Sequence, residues 1–458
     1  MATTSRITPR AVRKLPTFHA FQNRSYRRLW LGGAFSQVSR MMSMTLLIWF
    51  VLEQTDSPFL VALVGFFASA PTLLLGAFGG LLADRVDRRR LLITTTSVSL
   101  TITVAMTIVL NTDLARFWQA YVVVFASGAG WSLNMPSRRA TIHDLLGDSA
   151  VTNGIALESV GMSSSIMIGP ALAGGLIMLV DVSGGFLVVS VFYMVAVALL
   201  FSLRLKEDTV AGLTPGAAQR SDGPDGEKRA GKPLAGIREV FVNLAQGFRY
   251  VRGQNAILAT VLVTALMNLL MFPYQQMAPV IARDTLGVGP GLMGVLLAAH
   301  GVGSMVGAFT IASFSNFRYL GRVYVGGTML SMACLLVFSF SRHYGLSLAM
   351  LVVLGLGAAA FGTMQATIVI LVARTEMRGR ALGIISLAIG MGPLGSLMMG
   401  GIATATSPTS AIGLTSVVGL VLVGAVFVLM PALRGRILPD ESHTIKPEEP
   451  VTSMASDK

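Results

Sequence analysis

Residues 59–110 read FLVALVGFFASAPTLLLGAFGGLLADRVDRRRLLITTTSVSLTITVAMTIVL. Two apolar blocks, 59–83 and 91–110, are joined by a short connection that is almost entirely charged. Each block is long enough for a helix that crosses the hydrocarbon core of a bilayer, which takes about 20 residues. The stretch therefore predicts two membrane-spanning helices with a tight basic connection between them.

The same alternation of apolar blocks and short polar connections continues along the chain. Of its 458 residues, 53% are hydrophobic and 12% are charged, and a soluble domain would carry about twice that charged fraction. We therefore predict an all-α membrane protein of twelve transmembrane helices in two pseudo-symmetric six-helix bundles. The predicted spans are 29–52, 59–83, 91–110, 117–137, 154–180, 185–203, 256–282, 290–312, 323–341, 346–373, 381–405 and 411–433.

The basic residues are distributed unevenly between the two sides that these spans define. Of 35 lysines and arginines, 31 fall on the side that carries both termini and three on the other, and Arg40 lies inside the first span. Such an excess marks cytoplasmic loops. We therefore predict a multi-pass membrane protein with cytoplasmic N- and C-termini. Because topology accounts for the net charge of +13, we predict no nucleic-acid binding.

The spans divide the chain into five regions. They are a cytoplasmic segment (1–28), an N-terminal bundle (29–203), a cytoplasmic linker (204–255), a C-terminal bundle (256–433) and a cytoplasmic tail (434–458). After a stretch rich in glycine, proline and charge, apolar residues recur in the linker at helical spacing. They are Leu234, Ile237, Val240, Phe241, Leu244, Phe248 and Val251. This pattern predicts an amphipathic helix on the inner membrane surface, which fastens the linker.

The two halves carry a similar motif at the same ordinal helix. The fifth span contains MIGPALAGG (167–175) and the eleventh contains GMGPLGSLMMGG (390–401). Internal repeats of this kind are typical of secondary transporters, whose binding site lies near the bilayer midplane between the repeats.

The connection GGLLADRVDRRRLL (79–92) resembles the signature of the major facilitator superfamily between its second and third helices. The matching residues are Gly80, Asp84, Arg85, Arg88 and Arg89, and Asp87 stands where a second glycine is usual. Asp84 would cap a neighbouring helix and pair with arginines in one conformation only. The alternative is that the arginines only set topology. The equivalent stretch of the second half, SFSNFRYLGR (313–322), lacks the acid, so we expect a gating latch on one side only.

The fifth-span motif resembles one that the exporters of this superfamily carry. Matching residues are Gly169, Pro170, Gly174 and Gly175, with Gly392 and Pro393 as counterparts in the eleventh span. The motif implies an antiporter, and the alternative is generic packing of small residues. FQNRSYRRLWLGGAFSQVSRMM (21–42), VLEQTDSPFLVALV (51–64) and NLAQGFRYVR (243–252) are similar to the bacterial branch of macrolide-efflux proteins and the enterobactin exporter. The resemblance implies a substrate:proton antiporter that exports small amphipathic molecules such as drugs or siderophores.

Ionisable residues inside the spans are candidates for proton coupling, because charge in the bilayer core is costly. They are Arg40, Glu158 and His300. The first and fifth helices are neighbours in this superfamily, so we expect Arg40 to pair with Glu158 and to set its proton affinity. The alternatives are a structural ion partner for Arg40, a wetted vestibule residue for Glu158 and a hydrogen-bonded packing residue for His300.

Polar and aromatic residues of the first, fourth, seventh and tenth spans are candidates for the substrate cavity, since these spans line it in the superfamily. They are Gln37, Arg40, Trp131, Asn134, Asn268, Tyr274, Gln275 and Gln365. The alternative for each is hydrogen bonding between helices. The 25 methionines suit an adaptable apolar pocket.

Other functions are less well supported by the sequence. We find no zinc motif, no phosphate-binding glycine loop and no nucleophile with a base, so an enzyme and an ATP-driven pump are disfavoured, and we predict no cofactor and no metal. A lysolipid flippase or an anion facilitator of the same fold is the main alternative, because Arg40 would suit an anion. We expect the partners to be a small-molecule substrate, protons and the lipid bilayer, and the protein to act as a monomer.

Overall fold

The computed structural model describes residues 20–83, 87–112, 114–203, 233–313 and 319–435. These residues form twelve long helices of the two bundles and one helix in the linker, which confirms the predicted fold class. The N-terminal bundle comprises α1 (Arg24–Thr55), α2 (Pro58–Ala83), α3 (Arg88–Leu110), α4 (117–146), α5 (148–179) and α6 (182–201). The C-terminal bundle comprises α7 (Asn255–Asp284), α8 (Pro290–Ser313), α9 (Leu320–Phe340), α10 (Tyr344–Val372), α11 (Thr375–Ala405) and α12 (Pro408–Leu429).

Nine of the described helices are long and apolar enough to cross a membrane by length and composition. One of them, Ala150–Phe201, holds most of α5 and all of α6. The part of α2 whose side chains are described, Pro58–Leu74, is a shorter apolar helix, and α4 carries Arg138, Arg139 and Asp144 towards its end. The hydropathy of individual helices is therefore compatible with the twelve spans.

Helices α4, α5 and α6 follow one another with almost no connection. The backbone leaves helical geometry only at Gly147, with φ +64°, and at Val180 and Asp181, where Asp181 has φ +59°. Glycine adopts positive φ without steric cost, which allows α5 to start one residue after α4 ends. The predicted connection 138–153 is therefore wrong, because all of it except Gly147 is helical. Arg138, assigned to a cytoplasmic loop from the sequence, lies inside α4.

Two helices of the C-terminal bundle are broken near their middle. In α7 a π-helical turn, Met267–Met271, ends at Phe272, and the helix resumes at Tyr274 after Pro273. In α11 the helix stops at Ile389 and restarts at Gly392. Proline removes a backbone donor, and π-turns often occur at functional sites. The breaks leave backbone polar groups that can face a cavity but not lipid.

The predicted amphipathic helix forms over Pro233–Arg252. Of its described side chains, Val251 is buried against Ile384 and other apolar residues of the C-terminal bundle, and Phe248 is exposed. An added Cβ at Gly247 would lie 3.0 Å from the carbonyl oxygen of Arg380 in α11. The helix is thus packed on α11 through one face, which ties the linker to the second half.

The two halves meet along two helix pairs, α5 with α8 and α2 with α11. In the first pair, a Cβ added to Gly174 would clash with the carbonyl oxygen of Pro290 and lie 2.7 Å from Cα of Gly294. In the second, a Cβ on Gly400 would lie 2.5 Å from Cβ of Ala62. Small residues allow such backbone contact, which is the main source of helix association in a membrane.

Candidate functional site

A cavity of about 370 Å³ lies between the halves, near the middle of the helices. Such a volume is within the usual range of sites for small molecules, roughly 300–1,000 Å³. Its walls come from α1, α2, α4 and α5 on one side and from the broken segments of α7 and α11 on the other. The predicted cavity residues that line it are Gln37, Arg40, Trp131, Asn268 and Gln275. Gly392 and Pro393, which the sequence assigned to the antiporter motif, also line it.

The remaining predicted cavity residues lie elsewhere. Asn134 lines a smaller pocket beside Arg40 and donates a hydrogen bond to Thr95 Oγ1 at 3.1 Å. Tyr274 lies with His300 and Gln275 in a second small pocket. Gln365 donates to Thr264 Oγ1 at 2.7 Å in the interior of the C-terminal half. For Asn134 and Gln365 the structure therefore shows the helix-to-helix hydrogen bonding that was the alternative to cavity lining.

Several lining residues were missed from the sequence because they belong to α2, α5 and α11. They are Ser69, Thr72, Met162, Ser165, Ile166, Ile389, Gly390 and Ser396, together with Gln276 of α7. Gln276 is buried and lies directly against Gly65 of α2, where a Cβ would clash with its amide. The breaks in α7 and α11 were the available signal, since Pro273 and the GMGP stretch interrupt otherwise apolar spans.

Arg40 projects from α1 into the wall of the cavity. Its guanidinium carbon lies 4.4 Å from the centre of the Trp131 ring, and its Nε donates to Gln37 Oε1 over 3.5 Å. The first contact is a cation–π interaction, and the second is at the long limit for a hydrogen bond. The predicted pair between Arg40 and Glu158 is not formed.

Glu158 is bound instead by Arg138, the residue that immediately follows the predicted end of the fourth span. Arg138 Nε donates to Glu158 Oε1 at 2.5 Å, and its Nη2 donates to Glu158 Oε2 at 3.2 Å and to the Leu29 carbonyl at 2.8 Å. The two side chains are 5% and 14% exposed. The guanidinium occupies the space left by Gly33, where any Cβ would overlap it. This buried pair therefore depends on α1, α4 and α5 together.

Two hydrogen bonds next to the Arg138–Glu158 pair anchor the start of α1 to α5. Trp30 Nε1 donates to the Leu157 carbonyl at 2.9 Å, and the Tyr26 hydroxyl donates to the Gly154 carbonyl at 2.8 Å. Both bonds fix the backbone immediately before Glu158. A movement of α5 relative to α1 would consequently disturb the position of the carboxylate.

His300 is buried in α8 and shares a hydrogen bond of 3.0 Å between its Nδ1 and the Tyr274 hydroxyl. This is the hydrogen-bonded packing arrangement that was the alternative to proton coupling. The small pocket that they line also includes Pro170 and Met41 of the N-terminal half. His300 therefore lies beside the contact between the halves, in α8, and outside the central cavity wall.

The predicted gating motif is only partly described. Asp84 and Arg85 lie outside the described residues, so a latch at Asp84 stays a prediction, and Gly80 lies near the end of α2. Arg88 Nη1 binds Asp144 Oδ2 of α4 at 2.6 Å, and Arg89 Nη2 donates to the Phe201 carbonyl at 2.8 Å.

Asp87 stands where the family signature has a glycine, and it caps α3. Its Oδ1 accepts a hydrogen bond from the backbone N–H of Arg90 at 2.8 Å. The bonds of Arg88 and Arg89 join α3 to α4 and α6 within one half. The described part of the motif thus holds helices of the N-terminal bundle together.

The end of the molecule opposite the termini is closed by contacts between the halves. There Arg283 Nη1 lies 2.8 Å from Asp56 Oδ1, and Gly174 and Gly400 bring α5 onto α8 and α11 onto α2. Asp56 is 77% exposed, and exposed ion pairs contribute only about 0–1 kcal/mol. Helix packing at the glycines therefore accounts for most of the closure.

Two six-helix halves around a closed-ended cavity, with broken helices at its wall, define a secondary transporter. The chain belongs to the major facilitator superfamily, as predicted. Residues 275–456 match the family model described as Major Facilitator Superfamily, and residues 16–213 match one described as Transmembrane secretion effector.

Relatives agree with the predicted branch. The chain is 24% identical to the staphyloferrin A transporter of Staphylococcus aureus, over 81% of this chain and 86% of the relative. It is 22% identical to macrolide efflux protein A of Streptococcus pyogenes, over 63% of this chain and 66% of the relative. These relatives are transporters and not enzymes, as the sequence predicts for this chain.

Solved structures share the fold. A bacterial homologue of the human lysosomal transporter Spinster, in an inward-facing and occupied conformation, gives a TM-score of 0.67 at 16% identity, covering 91% of this chain and 99% of that one. A POT family transporter in complex with a thioalcohol-conjugated peptide gives 0.71 at 11% identity, covering 90% and 96%. At such identities the likeness establishes the fold alone.

Proposed function

We propose that the protein is a proton-coupled exporter of small amphipathic molecules that works as a monomer by alternating access. The observation that carries the proposal is the cavity of about 370 Å³ between the halves, which combines polar groups with methionine and other apolar side chains. The names of the relatives, a staphyloferrin A transporter and a macrolide efflux protein, support small molecules as the substrate class.

Alternating access requires that one end of the cavity closes while the other opens. The closed end carries the connections 56–57, 285–289 and 406–407, which are short and leave the helices in contact. In our proposal the two halves, 29–203 and 256–433, rock about the cavity, and the contacts at Gly174 and Gly400 separate when that end opens. Flat glycine surfaces suit this motion, because they pack closely yet share no strong bond.

The orientation that we propose places both termini and the linker in the cytoplasm of a bacterium, with the closed end facing outward. We expect reporter fusions at residue 215 and at the C-terminus both to score as cytoplasmic, since 31 basic residues lie on that side. The converse control is a reporter that is active only in the periplasm. Inserted at 341–343, on the opposite side, it should be active. A periplasmic result for either of the first two fusions would contradict the orientation.

The Arg138–Glu158 pair is the proton site that we propose, with Arg138 in the place that the sequence assigned to Arg40. The pair balances its own charge as long as both groups remain together. If a helix movement draws them apart, a buried carboxylate loses its counter-ion, which costs several kcal/mol. Binding a proton from the cytoplasm removes that cost, so the pair can couple helix movement to proton uptake.

The experiment that tests the function measures accumulation of radiolabelled erythromycin and of a panel of other amphipathic drugs in an efflux-deficient bacterial host. We expect expression of the protein to lower accumulation of at least one compound, and a protonophore to restore it. The same cells with an empty vector are the control. Export that persists in full after the protonophore would favour an uncoupled facilitator, which was the main alternative from the sequence. If the protein lowers the accumulation of none of these compounds, the proposal that it exports drug-like molecules is wrong.

A further inference from the structure

Arg40 lies where three cavities adjoin. It lines the central cavity, a smaller pocket with Asn134 and Arg138, and another with Ser99 and Tyr193. The sequence predicts Arg40 for the substrate cavity and suggests that it would suit an anion, and the names of the relatives do not identify its ligand. Its position and its charge make it a functional group of the cavity wall that the proposed proton site does not use.

The guanidinium has no anionic partner among the described residues. No described carboxylate forms an ion pair with Arg40, and Glu158 is held by Arg138. The lining of the central cavity includes no aspartate and no glutamate. A half-buried cation without a counter-ion is costly, and an anion that enters the cavity would remove that cost.

The contacts of Arg40 leave its donors available. Trp131 covers the flat face of the guanidinium at 4.4 Å, whereas the five N–H groups point outward in the plane of the group. Only Gln37 Oε1 accepts one of them in a side-chain bond, at 3.5 Å. A carboxylate can approach this edge with two parallel hydrogen bonds, the geometry in which arginine binds carboxylates most strongly.

The charge of the site limits the charge of the ligand. Among the described residues that line the central cavity, Arg40 is the only basic one. One guanidinium balances one negative charge, so the site suits a carboxylate better than a phosphate dianion. The surrounding side chains Met41, Met44, Met162, Ile166 and Phe272 provide an apolar surface for the rest of the ligand.

We propose that Arg40 binds a carboxylate of the transported substrate, and that the substrate class is therefore small amphipathic carboxylates. The inference rests on the proposed function in one respect, because it takes the central cavity to be the transport site. It does not depend on proton coupling or on the direction of transport.

The test is a binding measurement on the full-length protein in phosphatidylcholine nanodiscs. The probes are two carboxylates and their neutral amides of the same shape, 2-naphthoate with 2-naphthamide and 4-phenylbutyrate with 4-phenylbutyramide. We expect the wild type to bind at least one carboxylate about tenfold or more tighter than its amide, because a hydrogen-bonded ion pair contributes more than a neutral contact. Arg40→Gln should remove this preference. Arg40→Lys should keep part of it, since lysine retains the positive charge but lacks the planar pair of N–H donors that binds both carboxylate oxygens.

The matched control is Arg342→Gln, which removes one positive charge from an exposed connection far from the cavity and should retain the wild-type preference. Melting temperature separates ligand binding from a structural role. Without ligand, Arg40→Gln should melt at or above the wild-type temperature, because it removes a cation that has no described anionic partner; a structural ion pair at Arg40 would instead give a clear decrease.

Three results would overturn the proposal. The first is that neither carboxylate binds more tightly than its amide. The second is that Arg40→Gln keeps the preference. The third is that phosphatidylglycerol in the nanodiscs displaces the carboxylates, which would identify the anion as a lipid head group. A failure of proton coupling in the export assay would leave the binding result intact, so the two proposals fail separately.

Discussion

We expect Gly174→Leu to lower transport strongly, whereas Gly175→Leu should leave it close to the wild-type rate. The difference tests the contact of α5 with α8 between the halves, which we call the seam. A side chain at Gly174 would meet the carbonyl oxygen of Pro290 and Cα of Gly294, both backbone atoms that cannot rotate away. At Gly175 no atom lies within 4 Å of the added Cβ. The two glycines are adjacent in sequence and equal in helix propensity, so their difference isolates the contact.

The expected size of the effect follows from packing energetics. Overpacking costs about 1–3 kcal/mol, and each 1.4 kcal/mol changes an equilibrium about tenfold. A leucine at Gly174 therefore shifts the protein away from the closed seam by roughly 5-fold to 140-fold, and turnover falls because one of the two states is depopulated. Gly175→Leu should stay within about twofold, as for other surface substitutions.

The measurement is protonophore-sensitive export in whole cells, normalised to the amount of folded protein determined by size-exclusion chromatography. Gly294→Leu provides an independent check from the other side of the seam, because its Cβ would lie 2.5 Å from the carbonyl oxygen of Pro170. It should fail like Gly174→Leu. If Gly174→Leu transports normally while folded, the seam does not form in the transport cycle. If Gly175→Leu fails equally, the motif acts through helix packing in general.

The second prediction concerns the buried pair in the N-terminal half. Arg138→Met should strongly destabilise the protein, because it leaves Glu158 as a buried carboxylate without its cation, a change that typically costs about 3–5 kcal/mol. The double variant Arg138→Met/Glu158→Met should recover most of that stability, since replacing both charges by apolar groups is often neutral. Recovery of stability without recovery of proton-driven export would separate the coupling role of the pair from its structural role.

The coupling role is measured with purified protein in liposomes. Glu158→Gln should abolish substrate-induced proton release and uphill accumulation, while downhill exchange of the substrate persists. The stability control is Asp144→Asn in the other described pair of this half, Arg88–Asp144, whose side chains are 27% and 20% exposed. Because that pair is partly hydrated, its disruption should cost less than the loss of Arg138. Wild-type proton release from Glu158→Gln would move the proton site elsewhere, to His300 or to the substrate itself.

Much of the fold follows from local sequence features. Apolar blocks of span length, separated by short charged connections, leave helices in a bilayer as the natural arrangement, because every backbone group must be bonded internally. The repeated glycine–proline stretches and the signature at 79–92 predicted the superfamily. Glycine at 174 and arginine at 40 could also be selected from sequence as special residues, since each is unusual at its position.

The candidate site was predictable only in part, because its lining depends on which helices meet. Gln37, Trp131 and Asn268 were selected as polar residues in the superfamily's lining spans, and they line the cavity. Ser69 and Ser396 were missed, since α2 and α11 reach the cavity only through the breaks and crossings of the bundle. Polarity in a span is visible in a sequence, but the face that a helix presents to a cavity depends on its neighbours.

The partners of the charges were decided by tertiary structure alone. Glu158 could have paired with Arg40 on grounds of helix order, yet Arg138 reaches it because α4 continues through the predicted connection and because Gly33 leaves room for the guanidinium. Arg40 consequently pairs with none of the described carboxylates and faces the cavity, with its guanidinium against the Trp131 ring. Sequence determines which charges enter the membrane, since hydropathy is a property of each segment. Which charges neutralise one another is determined by distances of a few ångströms between helices, and those exist only in the packed bundle.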